Sequence, residues 1–289
     1  MGVDWSVAEV QTMRTLDETV GSRAGLEWRC HQPAREIERQ TPIETAIGLS
    51  FDGRPHTVLM ATPGDVEDLA RGFTVTEAIA AFDEILGIDI EPTPQGILAN
   101  VRLSANSARR RARPRTLEGR SSCGLCGVQR LADAVRVLPV VGQGQTFSPQ
   151  AVQRAVAAMA DHQVLGRATR ATHAAGFADA RGEVSLVRED VGRHSALDKL
   201  AGGLLAVRTD IAAGFIVVTS RCSFEMVEKV ARIGCPMIVA VSAPTDLAIS
   251  KAEQAGVTLV ALAREDGHTV FSCSQRLGLW PITTETQAA

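Results

Sequence analysis

Tyrosine is absent from the 289 residues, which removes any phenolic acid or base from the chemistry open to the chain. No apolar run is long enough to span a bilayer. The opening Met-Gly-Val-Asp-Trp-Ser-Val-Ala-Glu-Val lacks the basic start and apolar core of a signal peptide. A cytoplasmic protein with no membrane association is the expectation. The formal charge of −3 gives no general affinity for nucleic acid. Phosphate-loop and dinucleotide glycine fingerprints are missing as well. Six cysteines, irregularly spaced in so long a chain, do not make a disulfide framework. What remains is an ordinary globular composition, 45% hydrophobic and 22% charged. A chain of this length buries roughly three quarters of its extended surface, enough for two lobes.

Against that background one stretch stands out, Ser121-Ser122-Cys123-Gly124-Leu125-Cys126-Gly127, two thiols separated by two residues. Val128, Leu131, Val135 and Leu138 follow at helical spacing, so the pair sits at or just before a helix N-terminus. Free backbone N–H groups and the positive end of the helix dipole favour a thiolate there, with Ser121 or Ser122 as cap. The preceding run of arginines over 109–120 adds a positive field that lowers a thiol pKa further. The pattern suits nucleophilic sulfur: a redox, sulfur-carrying or metal-binding pair.

In chain order, residues 1–40 have no clear period and read as an arm. A small α+β lobe over 41–147 follows, ending in the arginine-rich loop and the cysteine helix. Its strands are expected at 43–51 and 56–61 around the turn Asp52-Gly53, then at 85–90 and 97–103. Thr62-Pro63 reads as a cap and first helical position, with Val66, Leu69, Ala70 and Phe73 as the apolar stripe. A second lobe over 148–279 begins after a Gly/Gln/Ser loop, and 280–289 is a tail. Helix is expected over 151–165, with strands at 171–178 and 183–187 after it. Helices at 191–205, 224–233 and 245–255 then alternate with strands at 215–219, 237–241 and 257–262. The class is α/β, with a largely parallel sheet covered by helices.

Ligands of such sheets bind beyond the carboxyl ends of strands. Those ends carry Thr219-Ser220-Arg221-Cys222-Ser223, then 242–245, then Ala263, Arg264, Glu265, Asp266 and Gly267. Hydroxyls and arginines there suit a phosphate-bearing ligand. Asp190, Arg193, His194, Asp198 and Lys199 form another polar cluster that could bind a base, sugar or phosphate. The alternative is a capped surface helix with local ion pairs. Glu225, Glu228 and Lys229 read as a solvated helix face, and His173 as either a ligand contact or a satisfied buried histidine.

Together, Ser-Ser-Cys123-Gly-Leu-Cys126-Gly, Thr172-His-Ala-Ala, Glu189-Asp-Val-Gly-Arg-His194-Ser-Ala-Leu-Asp-Lys-Leu and Ser220-Arg-Cys-Ser-Phe-Glu-Met-Val resemble the FdhD family of formate dehydrogenase accessory sulfurtransferases. The stretch from Ala61 to Phe73 fits it too, and the resemblance spans roughly 41–277. It implies a small N-terminal lobe joined to a cytidine-deaminase-like α/β lobe, in a homodimer. It further implies sulfur taken from a cysteine desulfurase and delivered to molybdenum bis(molybdopterin guanine dinucleotide) for formate dehydrogenase. That cofactor would be a bound substrate, and neither a permanent cofactor nor a metal is expected. By motif position Cys123 would carry the persulfide, with Cys126 assisting or substituting. The family's cofactor-contacting segment matches Leu262 to Gly267, where Arg264 keeps its basic character beside two acidic neighbours. A family glycine is replaced by Ala78, with a consequence expected for packing alone.

Other classes remain open beside it. A thioredoxin-like dithiol oxidoreductase shares the CxxC, but no strand with a tryptophan leads into the cysteines here. A zinc site needs two more suitably spaced ligands, and deaminase chemistry needs H-x-E and P-C-x-x-C elements. The chain has Ala175 two residues after His173, and Cys235 precedes its proline. A cofactor-binding chaperone without sulfur chemistry is the non-enzymatic alternative.

Overall fold

A computed structural model describes residues 16–105, 137–143 and 145–279. The cysteine pair Cys123 and Cys126, the arginine run and the helix expected from 128 lie outside the described residues. After one helical turn, Leu16–Thr19, strands β1 (Val20–Glu27) and β2 (Arg35–Pro42) form an antiparallel ribbon, from Val20 opposite Pro42 to Glu27 opposite Arg35. This is where the sequence shows no period, and the reason is visible. Both faces of the ribbon are largely exposed, so neither needs an apolar set. Leu26 and Trp28 stand out in solvent near its turn.

The next sheet follows the expected hairpins. Strands β3 (Thr45–Phe51) and β4 (Arg54–Ala61) pair antiparallel about Asp52 and Gly53, whose positive φ values of 47° and 74° are those a tight hairpin turn requires. Strands β5 (Ile85–Thr93) and β6 (Gly96–Leu103) make a second hairpin, and β6 joins β3 in parallel, giving the order β4-β3-β6-β5. Helix α1 (Val66–Thr76) covers one face, where Leu69 and Ala70 meet Ile47, Leu49, Phe51, Ala99 and Val101 in a fully closed core. The helix begins three residues later than the Thr62-Pro63 signal indicates. Its N-cap is Asp65, in a left-handed conformation without a side-chain cap bond. Thr62 is taken by another partner, described below. At the other end Ala78 occupies the position after the C-cap at φ 54°, with its N–H on the Val75 carbonyl. A substitution expected to matter for packing alone therefore carries a backbone cost, because this is where helices favour glycine.

The second lobe is one six-stranded sheet. It comprises β7 (His173–Asp179), β8 (Val184–Asp190), β9 (Gly214–Val218), β10 (Met237–Ala240), β11 (Thr258–Arg264) and β12 (Gly267–Val270), in the order β12-β11-β10-β9-β7-β8. The α/β class and the helical cover hold. Parallel pairing is confined to β9-β10-β11, and β7, β8 and the unforeseen edge strand β12 pair antiparallel. One face packs on α4 (Arg193–Ala206), α5 (Phe224–Arg232) and α6 (Asp246–Ala255). The other packs on α2 (Pro149–His162), which the short helix α3 (Val164–Thr169) follows. Ser148 caps α2, accepting from the Ala151 N–H at 3.1 Å. Residues returning from the undescribed segment are pinned beside the amino end of β11. Arg276 donates to the carbonyls of Gly142 and Gln143 at 2.9 and 3.0 Å.

The two lobes meet through α1 and α4 at very short range. A Cβ built on Gly72 would fall 1.8 Å from the Asp198 carbonyl oxygen, and one on Gly202 would fall 1.9 Å from that of Asp68. Glycine is required at both positions for the backbones to approach so closely. Arg188 of β8 flanks the crossing, 2.7 Å from Asp68 and 3.6 Å from Asp65.

Candidate functional site

Strands β9, β10 and β11 end on the same edge of the sheet. Strand β7 runs against β9 and so starts there, while β8 finishes there with Asp190 opposite His173. This register brings His173, Asp190, Arg193, His194, Ser220 and Arg221 to one edge. Leu262 to Gly267 lie farther along it, two strands from β9, at the end of β11 and its turn into β12. There Ala263 is buried in the core, Leu262 is exposed at φ 53°, and Glu265 and Asp266 form the exposed turn. One guanidinium nitrogen of Arg264, Nη1, donates to the Val241 and Ala263 carbonyls, tying the ends of β10 and β11 together.

Asp190 is completely buried and fully engaged. One carboxylate oxygen accepts the Gly192 N–H at 2.7 Å and so shapes the entry to α4. The other accepts from the Thr62 N–H at 3.0 Å and hydroxyl at 2.9 Å, and pairs with Lys199 at 2.6 Å. Lys199, also completely buried, donates to the Thr62 hydroxyl and carbonyl at 2.7 and 3.0 Å. A second buried set lies deeper. Lys229 contacts both oxygens of Asp198 and Glu77 at 2.9 Å, and the Thr76 hydroxyl donates to Asp198 at 2.6 Å. Burial alone would lower the Lys229 pKa, but the facing carboxylates of Asp198 and Glu77 raise it, keeping the ammonium charged. The surface-helix reading of residues 190–199 and the solvated-face reading of Lys229 are thereby corrected. Thr62, Thr76 and Glu77 carry these contacts across the lobe junction, where burial limits screening by solvent.

The upper turns of α4 and α5 face the edge differently. Arg193 Nε, both ring nitrogens of His194 and the Ser223 hydroxyl are buried without a hydrogen-bond partner. His194 Nε2 lies 3.8 Å from Glu225 Oε2. Burial works to raise the Glu225 pKa, but the His194 ring and Ser223 hydroxyl beside it prevail and hold the carboxyl below its ordinary range. His173 is held below the ordinary histidine range, by burial first and then by the Arg193 charge. At neutral pH it is an uncharged ring that can donate and accept one hydrogen bond each. Arg221 is exposed, and Ser220 donates to the Arg221 carbonyl at 3.0 Å. The edge thus combines cationic side chains, unpaired buried donors and one carboxylate, a set that can bind an anionic, hydrogen-bonding ligand.

Sulfur chemistry finds no place among the buried thiols of the described residues. Burial pushes Cys222 and Cys235 up to about 12, leaving both as protonated core groups. Cys30 is exposed on the ribbon and Cys273 is half-buried. No group of three or more His, Cys, Asp or Glu among the described residues could hold a metal ion. No helix among them is long and apolar enough to cross a membrane. Ser223 belongs to the strand-end hydroxyls that the sequence marks, but Thr62 reads there only as a helix cap and Glu225 only as part of a solvated face, a reading that its burial beside His194 corrects. Nothing local to Thr62 signals a partner in the other lobe, whereas Glu225 sits where a strand end enters a helix and could have been read with Ser220, Arg221 and Ser223.

The FdhD/NarQ family model matches residues 42–278 of the chain. The chain is 44% identical over 241 residues to the sulfur carrier protein FdhD of Variovorax paradoxus, covering 83% of this chain and 87% of that one. It is 43% identical over 243 residues to the sulfur carrier protein FdhD of Agrobacterium fabrum, covering 83% and 90%. Among solved structures, a candidate formate dehydrogenase accessory protein from Desulfotalea psychrophila matches with a TM-score of 0.68, covering 90% of this chain and 99% of that one. Its sequence identity is 24%, so this last likeness is one of fold.

Proposed function

The chain belongs to the FdhD/NarQ family, and from that premise we propose that it is a sulfur carrier for the maturation of formate dehydrogenase. In this reading it accepts sulfur from a cysteine desulfurase in the cytoplasm and passes it to molybdenum bis(molybdopterin guanine dinucleotide), its bound substrate. The Cys123 thiolate attacks the outer sulfur of the donor persulfide. The donor S–S bond breaks, the donor cysteine leaves as thiolate, and Cys123 keeps a persulfide. Attack of Cys126 on the inner sulfur then forms a Cys123–Cys126 disulfide and expels the outer atom as hydrosulfide, its two electrons supplied by the thiol pair. A cellular dithiol reductant resets the disulfide.

What carries the reading is the Cys123-Gly-Leu-Cys126 pair in a chain of this family, with Ser caps and an arginine run before it. The protonated state of Cys222 and Cys235 supports it by taking those two buried thiols out of the chemistry. The second lobe's edge would receive the guanine dinucleotide. Arg193, Arg221 and the remaining N–H groups of Arg264 would meet phosphate oxygens, and the neutral His173 and the ring of His194 would donate to phosphate or sugar. Asp190 takes the role of holding the Arg193-His194 turn. A homodimer belongs to the same proposal and is checked by light scattering.

The test is intact-protein mass spectrometry after incubation with a cysteine desulfurase and cysteine. A reductant-reversible gain of one sulfur atom is expected in the wild type and in Cys126→Ala, and none in Cys123→Ala. No sulfur gain in Cys126→Ala, where the disulfide cannot form and discharge the persulfide, would instead support a dithiol oxidoreductase. The unpaired donors at the edge favour one further reading, a chaperone that holds the cofactor without carrying sulfur. Cys123→Ala separates the two. Under the carrier reading it abolishes dehydrogenase activation and leaves GDP affinity within about twofold, whereas full activation by this variant leaves the chaperone.

A further inference from the structure

Four buried atoms at the starts of α4 and α5 lack a hydrogen-bond partner, Arg193 Nε, His194 Nδ1 and Nε2, and Ser223 Oγ, and His194 and Ser223 flank the Glu225 carboxylate. Buried polar atoms in folded proteins are nearly all paired, so such a cluster points to a partner outside the chain. Glu225 is only 13% exposed, and its 3.8 Å separation from His194 Nε2 is within ion-pair range but beyond hydrogen-bond length. A carboxylate beside His194 does nothing for phosphate, which it repels. It is an acceptor only, so the ligand part it suits must present hydrogens. Among purine bases, guanine offers two donors side by side, N1–H and the 2-amino group, while adenine presents an acceptor at N1.

We infer that Glu225 selects guanine at this edge, accepting from N1–H and the 2-amino group, while Arg193 and Arg221 face the phosphates. This rests on the proposal that the edge receives a guanine nucleotide and adds the residue that tells guanine from other bases. The assignment also explains why an acidic side chain stands in a cationic setting. Leaving a buried carboxylate without its donors is costly, so a base lacking one of them is rejected.

The experiment is calorimetric titration of the full chain with GDP, IDP and ADP, for the wild type and Glu225→Gln. IDP differs from GDP only in lacking the 2-amino group. The wild type is expected to bind GDP roughly ten- to hundredfold more tightly than IDP, and ADP more weakly still. In Glu225→Gln the GDP-to-IDP ratio should fall by severalfold or more, with circular dichroism confirming the fold. Tight GDP binding with an unchanged ratio in Glu225→Gln overturns the role of Glu225 and leaves the nucleotide reading standing. A wild-type ratio near one overturns it even if the variant fails to fold. A wild type that binds none of the three nucleotides overturns both.

Discussion

Asp190 commits one carboxylate oxygen to the start of α4 and the other to the first lobe, so a ligand-facing turn and a distant loop share one residue. Thr62 is the weakest member of that set to remove without leaving a bare charge. Thr62→Val should cost about 1–3 kcal/mol in urea denaturation, because Lys199 and Asp190 each lose a buried hydroxyl partner. GDP affinity should fall with it, and Thr62→Ser should restore both. An unmoved midpoint would show that the hydroxyl contributes nothing. Ala78 offers the opposite case. Its left-handed backbone costs about 1 kcal/mol or somewhat more for a residue with a Cβ, while a glycine loses about 0.5–1 kcal/mol of chain entropy on folding. The terms nearly offset, so Ala78→Gly should raise stability by no more than about 1 kcal/mol, and a loss would mean that the methyl packs usefully. The histidines set a pH dependence. Burial holds His268 below the ordinary 6.5, and burial with the Arg193 charge does the same for His173. Both bind protons more readily in the unfolded chain, so stability in place above about pH 6.5 declines as pH falls through the lowered folded-state values. Urea midpoints at pH 7 and 5.5 should show this drop, and His268→Gln should make it shallower.

At the scale of elements, the α1–α4 crossing is set by two glycines that face carbonyl oxygens. Gly202→Ala should destabilise by about 3 kcal/mol or more, since a methyl there meets backbone that cannot turn aside. Gly25→Ala, with nothing within 4 Å of the added carbon, serves as the neutral control. A Gly202→Ala chain as stable as the control would mean that the helices can separate without loss. The elements legible in the sequence were those whose burial repeats with the period of the structure. The apolar runs of β9, β10 and β11 and the hairpin about Asp52-Gly53 belong here. The β1–β2 ribbon was not legible because it buries neither face. β12 was missed because four residues, Gly267-His-Thr-Val270, carry too little pattern. In α4 the charges at 198 and 199 imitate a wet surface, since spacing records neighbours on the same helix and not the lobe that closes over them. The same blindness hid Thr62 and Glu225 from the candidate site, while Arg193, His194 and Ser220 were visible as strand-end and helix-start residues.

For the whole molecule, the Lys229–Glu77 pair, Arg188 with its two aspartates, and the bonds of Thr62 to Asp190 and Lys199 make the lobes depend on each other. Separating them would break these cross-lobe contacts and expose the close α1–α4 crossing to water. Calorimetry should therefore record one unfolding transition, and two resolved endotherms would show that the lobes stand alone. Thr62 and Asp190 are 128 residues apart in the chain. At ribosomal rates of about 5–20 residues per second, the first lobe leaves the exit tunnel on the order of ten seconds before its partner helix has been made. Until then the glycine-lined face of α1 has nothing to rest on, which makes the nascent chain a client for holding chaperones. The architecture can close only once translation has carried the message past α4.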